Sequence, residues 1–223
     1  MLDNYFEKQG ERLISFVMNY NKGIEISKKV DAILLAAGSS HRMPGVNKLL
    51  ENFNGQPIVR LVAETVSLSL VQNLIIVTGY EAYKVRRALA GLSGNFIYNS
   101  LYKYGLSTSL SAGIRAVAPN SAGALVVLAD MPRISVEIIN TLIREFHKNK
   151  NKLIQRPVFD GRSGNPVLWP RSCFLELSTL TGDQGGRVLF EKFANLISFV
   201  QVDESSIHQD IDTFEDLKKL RLF

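Results

Sequence analysis

The chain has 223 residues, 46% of them hydrophobic and 21% charged, enough apolar material for one ordinary globular domain and the wrong balance for a disordered, collagenous or disulfide-scaffold protein. Lys and Arg number 26 against 21 Asp and Glu, a net charge of +5 spread along the sequence; this suits anionic small-molecule substrates and marks no nucleic-acid face. A lone Cys173 points to a reducing cytoplasm, and no apolar run approaches the ~20 residues a membrane helix needs.

Residues 1–29 read as an N-terminal extension. Within it Tyr5–Tyr20 carries Phe6, Leu13, Phe16 and Val17 on one side of an expected helix, stopped by Asn21-Lys22-Gly23. From residue 30 to 223 the pattern alternates. Val30–Ala36 is a short apolar run before Gly38, the mark of a buried parallel strand. Pro57 opens a helix at its first position, with Ile58, Leu61, Val62, Thr65, Val66 and Leu68 at helical spacing. Asn73–Thr78 is a strand and Glu81–Leu89 a helix; Asn95–Asn99 is a strand and Leu106–Val117 a helix. Ala124–Ala129 is the most strand-like run, with nothing polar until Asp130. Ser135 caps a helix running to Asn149, and Glu137 sits favourably in its first turn. Leu153–Phe159 and Pro166–Trp169 are strands, Gly185–Phe193 a helix, Ile197–Val202 a strand. Thr213 with Asp216 resembles a capping box for a last helix. Strands alternating with helices specify an α/β class protein, a three-layer α/β/α arrangement around a mainly parallel sheet.

Ala36-Ala37-Gly38-Ser39-Ser40-His41-Arg42-Met43-Pro44-Gly45-Val46-Asn47-Lys48 leaves the carboxyl end of the first strand, where open α/β sheets place their ligands. Small residues let backbone amides approach phosphate oxygens, and Arg42 and Lys48 supply charge-assisted bonds to them. Neither a P-loop nor a GxGxxG fingerprint is present, and the same residues also suit a tight solvated loop. Asp130 follows a buried strand directly. It is either a turn or cap residue ahead of Pro132 or a Mg²⁺ ligand, since Mg²⁺ beside phosphates selects hard oxygen donors. His41, His147 and His208 form no metal-spaced cluster, and Cys173 is assigned to packing.

The loop from Leu35 to Lys48 resembles the LAAGxSxRM…K signature of the MobA-like nucleotidyltransferases. That family includes molybdopterin cytidylyl- and guanylyltransferases and related sugar-phosphate nucleotidyltransferases. Further similar blocks follow in family order: Asn99 through Ser109, Leu128-Ala129-Asp130-Met131-Pro132, Gly161 through Pro166, Thr181 through Arg187, and Asp210 through Leu217. The resemblance covers roughly residues 31–220. It implies a Rossmann-like nucleotide-binding sheet of the nucleotide-diphospho-sugar transferase type, and nucleotidyl transfer from an NTP with Mg²⁺.

By this resemblance Asp130 and Asp212 hold the metal, with Asp210 as the fallback, and Arg42 and Lys48 grip the β- and γ-phosphates. Ala36, Ala37, Gly38, Ser39 and Ser109 border the nucleotide; Arg162, Gly164, Asn165, Asp183 and Arg187 border the acceptor. Cytidylyl relatives commonly carry His-Pro where this chain has Asn165-Pro166, and often Gln where it has Met131; Asn keeps a hydrogen bond but holds no proton. Ala37 stands where guanylyl relatives tend to carry glycine, so CTP is the expected nucleotide. The implied reaction joins CMP to a molybdopterin-type phosphate. A sugar phosphate is the other acceptor class. The rival reading is a non-catalytic maturation factor that carries cofactor to a client molybdoenzyme, such as an aldehyde or xanthine dehydrogenase; a pure carrier has no need of Lys48, Asp130 and Asp212.

Overall fold

The computed structural model describes residues 29–40 and 42–221; the expected helix over Tyr5–Tyr20, and His41, lie outside them. Strand β1 (Val30–Ala36) leads through the 37–48 loop to a small hairpin, β2 (Asn52–Phe53) and β3 (Gln56–Pro57). Then come α1 (Ile58–Ser67), β4 (Leu74–Thr78), α2 (Ala82–Ala88), β5 (Asn95–Tyr98), α3 (Leu106–Arg115), β6 (Gly123–Leu128) and α4 (Val136–Lys148). The remainder is β7 (Ile154–Phe159), β8 (Arg162–Ser163), β9 (Val167–Pro170), α5 (Phe174–Ser178), β10 (Ile197–Gln201) and α6 (Phe214–Arg221).

The main sheet runs β10-β7-β9-β6-β1-β4-β5, with β8 added to β7. β1 pairs in parallel with both β4 and β6, as β4 does with β5 and β10 with β7. β9 runs antiparallel between β6 and β7. All seven residues of β1 are buried, and alternate ones face opposite layers. Ala32, Leu34 and Ala36 pack with Val59, Val62 and Val66 of α1 and with Ile139, Leu142 and Phe146 of α4. Ile33 and Leu35 pack with Leu110 and Ile114 of α3 and with Phe174 and Leu177 of α5. A strand covered on both faces has no polar side to show, so it reads as a continuous apolar run.

Local chemistry fixes the helix starts. Ser135 Oγ accepts from the Ile138 amide at 3.2 Å, and Thr213 and Asp216 exchange reciprocal backbone–side-chain bonds at 2.9 and 3.1 Å, the capping box expected there. The β2–β3 hairpin was not anticipated, although its signal is local. Asn54 and Gly55 both have positive φ, 52° and 86°, as a two-residue type I′ turn demands. The expected helix over Gly185–Phe193 is instead a 3₁₀ stretch, Gly185–Leu189. Its Gly186 lies flat on Trp169, where a Cβ would come within 2.8 Å of the indole Cζ2.

A third, smaller core decides where the functional loop sits. Met43, Phe53, Ile58, Ile211 and Leu217 pack together, with Val46 and Leu61 against them. It ties the loop after β1, the hairpin, the start of α1 and the start of α6 into one unit.

Candidate active site

Along the sheet the chain moves from β1 to β4 in one direction and from β6 to β7 in the other, and the crevice where the strand order reverses in this way is where α/β sheets bind ligands. A cleft of about 760 Å³ opens there. Leu35 and Leu128, at the ends of β1 and β6, line it together with Ala37, Gly38, Ser39, Arg42 and Lys48. The loop is folded on itself: the Lys48 amide donates to Ser40 Oγ at 3.1 Å and the Met43 amide to the Ser40 carbonyl at 2.7 Å. A Cβ on Gly38 would meet no atom within 4 Å, so the backbone there borders open space.

Lys48 is the hub. Its Nζ lies 2.7 Å from Asp130 Oδ2 and 3.0 Å from Asp212 Oδ1, while Arg42 pairs with the other oxygen of Asp212. The strap that delivers Asp212 is built from its neighbour. The Ile211 side chain enters the third core and its amide donates to the Asp130 carbonyl at 3.0 Å, leaving Asp210 and Asp212 lining the cleft. Burial disfavours the Lys48 ammonium, but the Asp130 and Asp212 carboxylates outweigh it and hold its pKa above the ordinary lysine value. Burial pushes the Asp130 carboxyl up; Lys48 pulls it back only in part, and the Asp210 charge adds to the upward push. Asp130 Oδ1 is buried with no hydrogen-bond partner.

That orphaned oxygen, on a carboxylate short of positive charge, fits a hard divalent cation. Among the described residues no three His, Cys, Asp or Glu side chains gather to hold a metal by themselves. Two carboxylates completed by substrate phosphates is the usual arrangement for Mg²⁺.

The polar stretch before α3 closes the other wall. Asn99 Nδ2 donates to Thr108 Oγ1 at 2.9 Å and Ser109 Oγ at 3.0 Å, and its Oδ1 accepts from the Leu101 amide at 3.0 Å. Asn99 thereby pins a turn that brings Tyr102, Lys103, Tyr104 and Ser109 to the cleft. Gly79 allows Tyr102 to approach, since a Cβ there would fall 2.6 Å from Tyr102 Cβ and 2.9 Å from Ala37 Cβ. The tyrosines and Lys103 were not singled out from the sequence, where they read as ordinary turn residues.

Gly182 and Asp183 reach the cleft because their loop caps α3. The Gly182 carbonyl accepts from the Ser107 amide at 3.0 Å and Asp183 Oδ1 from the Leu106 amide at 3.1 Å. Gly105 makes the contact possible: its φ is +107° and a Cβ would fall 2.3 Å from the Gly182 oxygen. Gly105→Ala should therefore lower stability by about 2–4 kcal/mol, read as a reduced urea midpoint. An unchanged midpoint would show that this seat is not tight.

Other expected site residues lie elsewhere. Ala36 ends β1 fully buried in the core. Gly164 and Asn165 belong to a loop packed on Ser205–His208: the Asn165 amide donates to the Ile207 carbonyl at 3.0 Å, and a Cβ on Gly164 would lie 2.3 Å from that same oxygen. Arg162 is exposed, its carbonyl 3.1 Å from His208 Nε2. Arg187 is exposed beyond Asp183 on the Gly185–Leu189 stretch. None of these lines the cleft. Cys173 is buried and free, its thiol pushed up to about 11 by that burial, as a packing residue should be.

Residues 32–196 match the family model of the MobA-like NTP transferase domain. The chain belongs to that family. As a MobA-like domain it is a nucleotidyltransferase. It is 28% identical over 197 residues to a nicotine blue oxidoreductase of Paenarthrobacter nicotinovorans, covering 86% of this chain and 96% of that one. It is 31% identical over 111 residues to a probable molybdenum cofactor guanylyltransferase of Natronomonas pharaonis, covering 49% and 54%. Among solved structures, Rv0371c of Mycobacterium tuberculosis superposes with a TM-score of 0.79 at 23% identity, over 88% of this chain and 99% of that one. The same protein in complex with manganese gives 0.75 at 22%, over 87% and 99%. Among the described residues no helix of the MobA-like domain is long and apolar enough to cross a membrane.

Proposed function

We propose that this MobA-like domain transfers CMP from CTP to a molybdopterin-type phosphate acceptor and releases pyrophosphate. The observation that carries it is the convergence of Arg42, Lys48, Asp130 and Asp212 on one cleft at the carboxyl ends of β1 and β6. A terminal phosphate oxygen of the acceptor attacks the α-phosphorus in line, the bond to the bridging oxygen breaks, and both electrons leave with pyrophosphate. No covalent nucleophile on the protein is needed, because positioning and charge neutralisation supply most of the catalysis. Asp130 and Asp212 would hold Mg²⁺, which neutralises the oxygens of the reacting phosphates; the manganese in the solved relative supports a divalent ion. Lys48 and Arg42 would turn from the carboxylates to the β- and γ-phosphates. Gly38, Ser39 and Ser109 line the cleft, and the nucleotide would lie between the first two and Ser109. Asp183, and Arg187 beyond it, mark the acceptor end.

Base choice rests on Ala37. Ala37 is 3% exposed, lines the cleft and packs beside Gly79. A methyl in that wall costs a purine more room than a pyrimidine, a preference worth about 1–3 kcal/mol. Competitive turnover with equal CTP and GTP, a candidate acceptor and pyrophosphate release as readout should favour CTP. Ala37→Gly should narrow the gap without reversing it. A clear preference for GTP in the unmodified protein would overturn the cytidylyl reading while leaving nucleotidyl transfer in place.

A further inference from the structure

On the far half of the sheet, β7 and the segment Gly185–Phe190 meet at one aromatic stack. Arg156 lies on β7, and its guanidinium sits 3.8 Å from the centroid of the Phe190 ring. Phe190 is stacked in turn on Trp169, with centroids 5.3 Å apart and planes 3° from parallel. The Gly185–Leu189 stretch that carries Arg187 rests on the same indole through Gly186. Arg156 is thus held on a rigid aromatic platform, which leaves its donor fork pre-organised.

What the platform lacks is an acceptor. Arg156 Nε is buried with no hydrogen-bond partner. Among the described residues no carboxylate pairs with Arg156 or with Arg187. Burial, and then the charge of Arg187, press the Arg156 guanidinium below its ordinary pKa. Two neighbouring guanidiniums with a buried, unsatisfied donor are unfavourable unless an anion joins them.

We propose that Arg156 and Arg187 form an anion subsite that takes an oxyanion of the acceptor, a phosphate monoester or a carboxylate, on the Trp169–Phe190 platform. It rests on the reading that the acceptor enters past Asp183. A tetrahedral or planar oxyanion can take two parallel N–H bonds from a guanidinium fork, which a single ammonium cannot supply. Arg156 thereby becomes a specificity residue for acceptors that carry a second negative group.

Trp169 is the only tryptophan in the chain and lies second in the stack, so its emission reports on this place alone. The full-length protein, without nucleotide, is titrated with inorganic phosphate and separately with acetate at constant ionic strength. A saturable change in Trp169 emission is expected, with the Kd raised about tenfold or more in Arg156→Gln. Arg156→Lys, which keeps the charge and the packing stem, should fall between. Lys48→Ala should titrate like the unmodified protein. Tighter binding of phosphate than acetate assigns the subsite to a phosphate monoester, and the reverse order to a carboxylate. No saturable change with either anion, or a response abolished by Lys48→Ala and untouched by Arg156→Gln, overturns the proposal. No CTP enters the assay, so failure of the cytidylyl reading leaves its outcome unchanged.

Discussion

Asp130→Asn should lower kcat by about 10³-fold or more, with the thermal unfolding midpoint moved by only a few degrees. The substitution keeps the shape of the side chain at the end of β6 and removes its charge. The Lys48 ammonium is not stranded by the change, because Asp212 remains 3.0 Å away, so the fold keeps its counter-ion. What disappears is the carboxylate with an unpartnered, buried Oδ1, the best-placed donor for a divalent ion in the cleft. Asp212→Ala should cost less, since Asp212 is more exposed and shared with Arg42. Steady-state turnover at saturating Mg²⁺ beside a melting curve decides the matter. Turnover like the unmodified protein would return Asp130 to the role of a turn residue that happens to pair with a lysine.

Lys48→Ala should lower kcat by about 10²–10³-fold, with a smaller change in KM for the NTP. Negative charge accumulates on the departing pyrophosphate as the bond to the α-phosphorus breaks, so a cation gains most at that moment. Lys48 is suited to this because the carboxylates around it hold its pKa above the ordinary value, which keeps it charged through neutral pH. In the free protein the same substitution leaves Asp130 without its cation, so the melting temperature should drop and recover in part on adding Mg²⁺. A variant with full kcat and only the drop in melting temperature would make Lys48 a structural counter-ion.

Much of this was legible in the chain because β1, β4 and β6 are covered on both faces and therefore show unbroken apolar runs. The carboxyl end of such a run is where a polar residue stands out, and Asp130 and the small-residue loop do so. The pairing partner of a strand leaves no such mark. β9 runs antiparallel between β6 and β7, and nothing within Val167–Pro170 announces that direction. A glycine is mute in another way. Gly164 stands by resemblance at the acceptor, and the atom it makes room for is the Ile207 carbonyl. Composition reports that a Cβ is unwelcome and cannot report what displaces it. Arg156 escaped notice for the opposite reason, since an arginine in a strand looks like a solvated edge residue until Phe190 is seen beneath it.

The small core of Met43, Phe53, Ile58, Ile211 and Leu217 has a temporal consequence. It joins residues from opposite ends of the described chain, and the Arg42–Asp212 pair it supports spans 170 positions of sequence. During vectorial synthesis the sheet strands β1, β4 and β6 emerge from the ribosome long before Ile211 and Asp212 do. A nascent chain therefore displays the small-residue loop and Asp130 with the second carboxylate still untranslated, and the Met43, Phe53 and Ile58 side chains lack two of their apolar partners. The cleft is finished among the last steps of translation, so a chain released before Leu217 carries most of the sheet and an incomplete site.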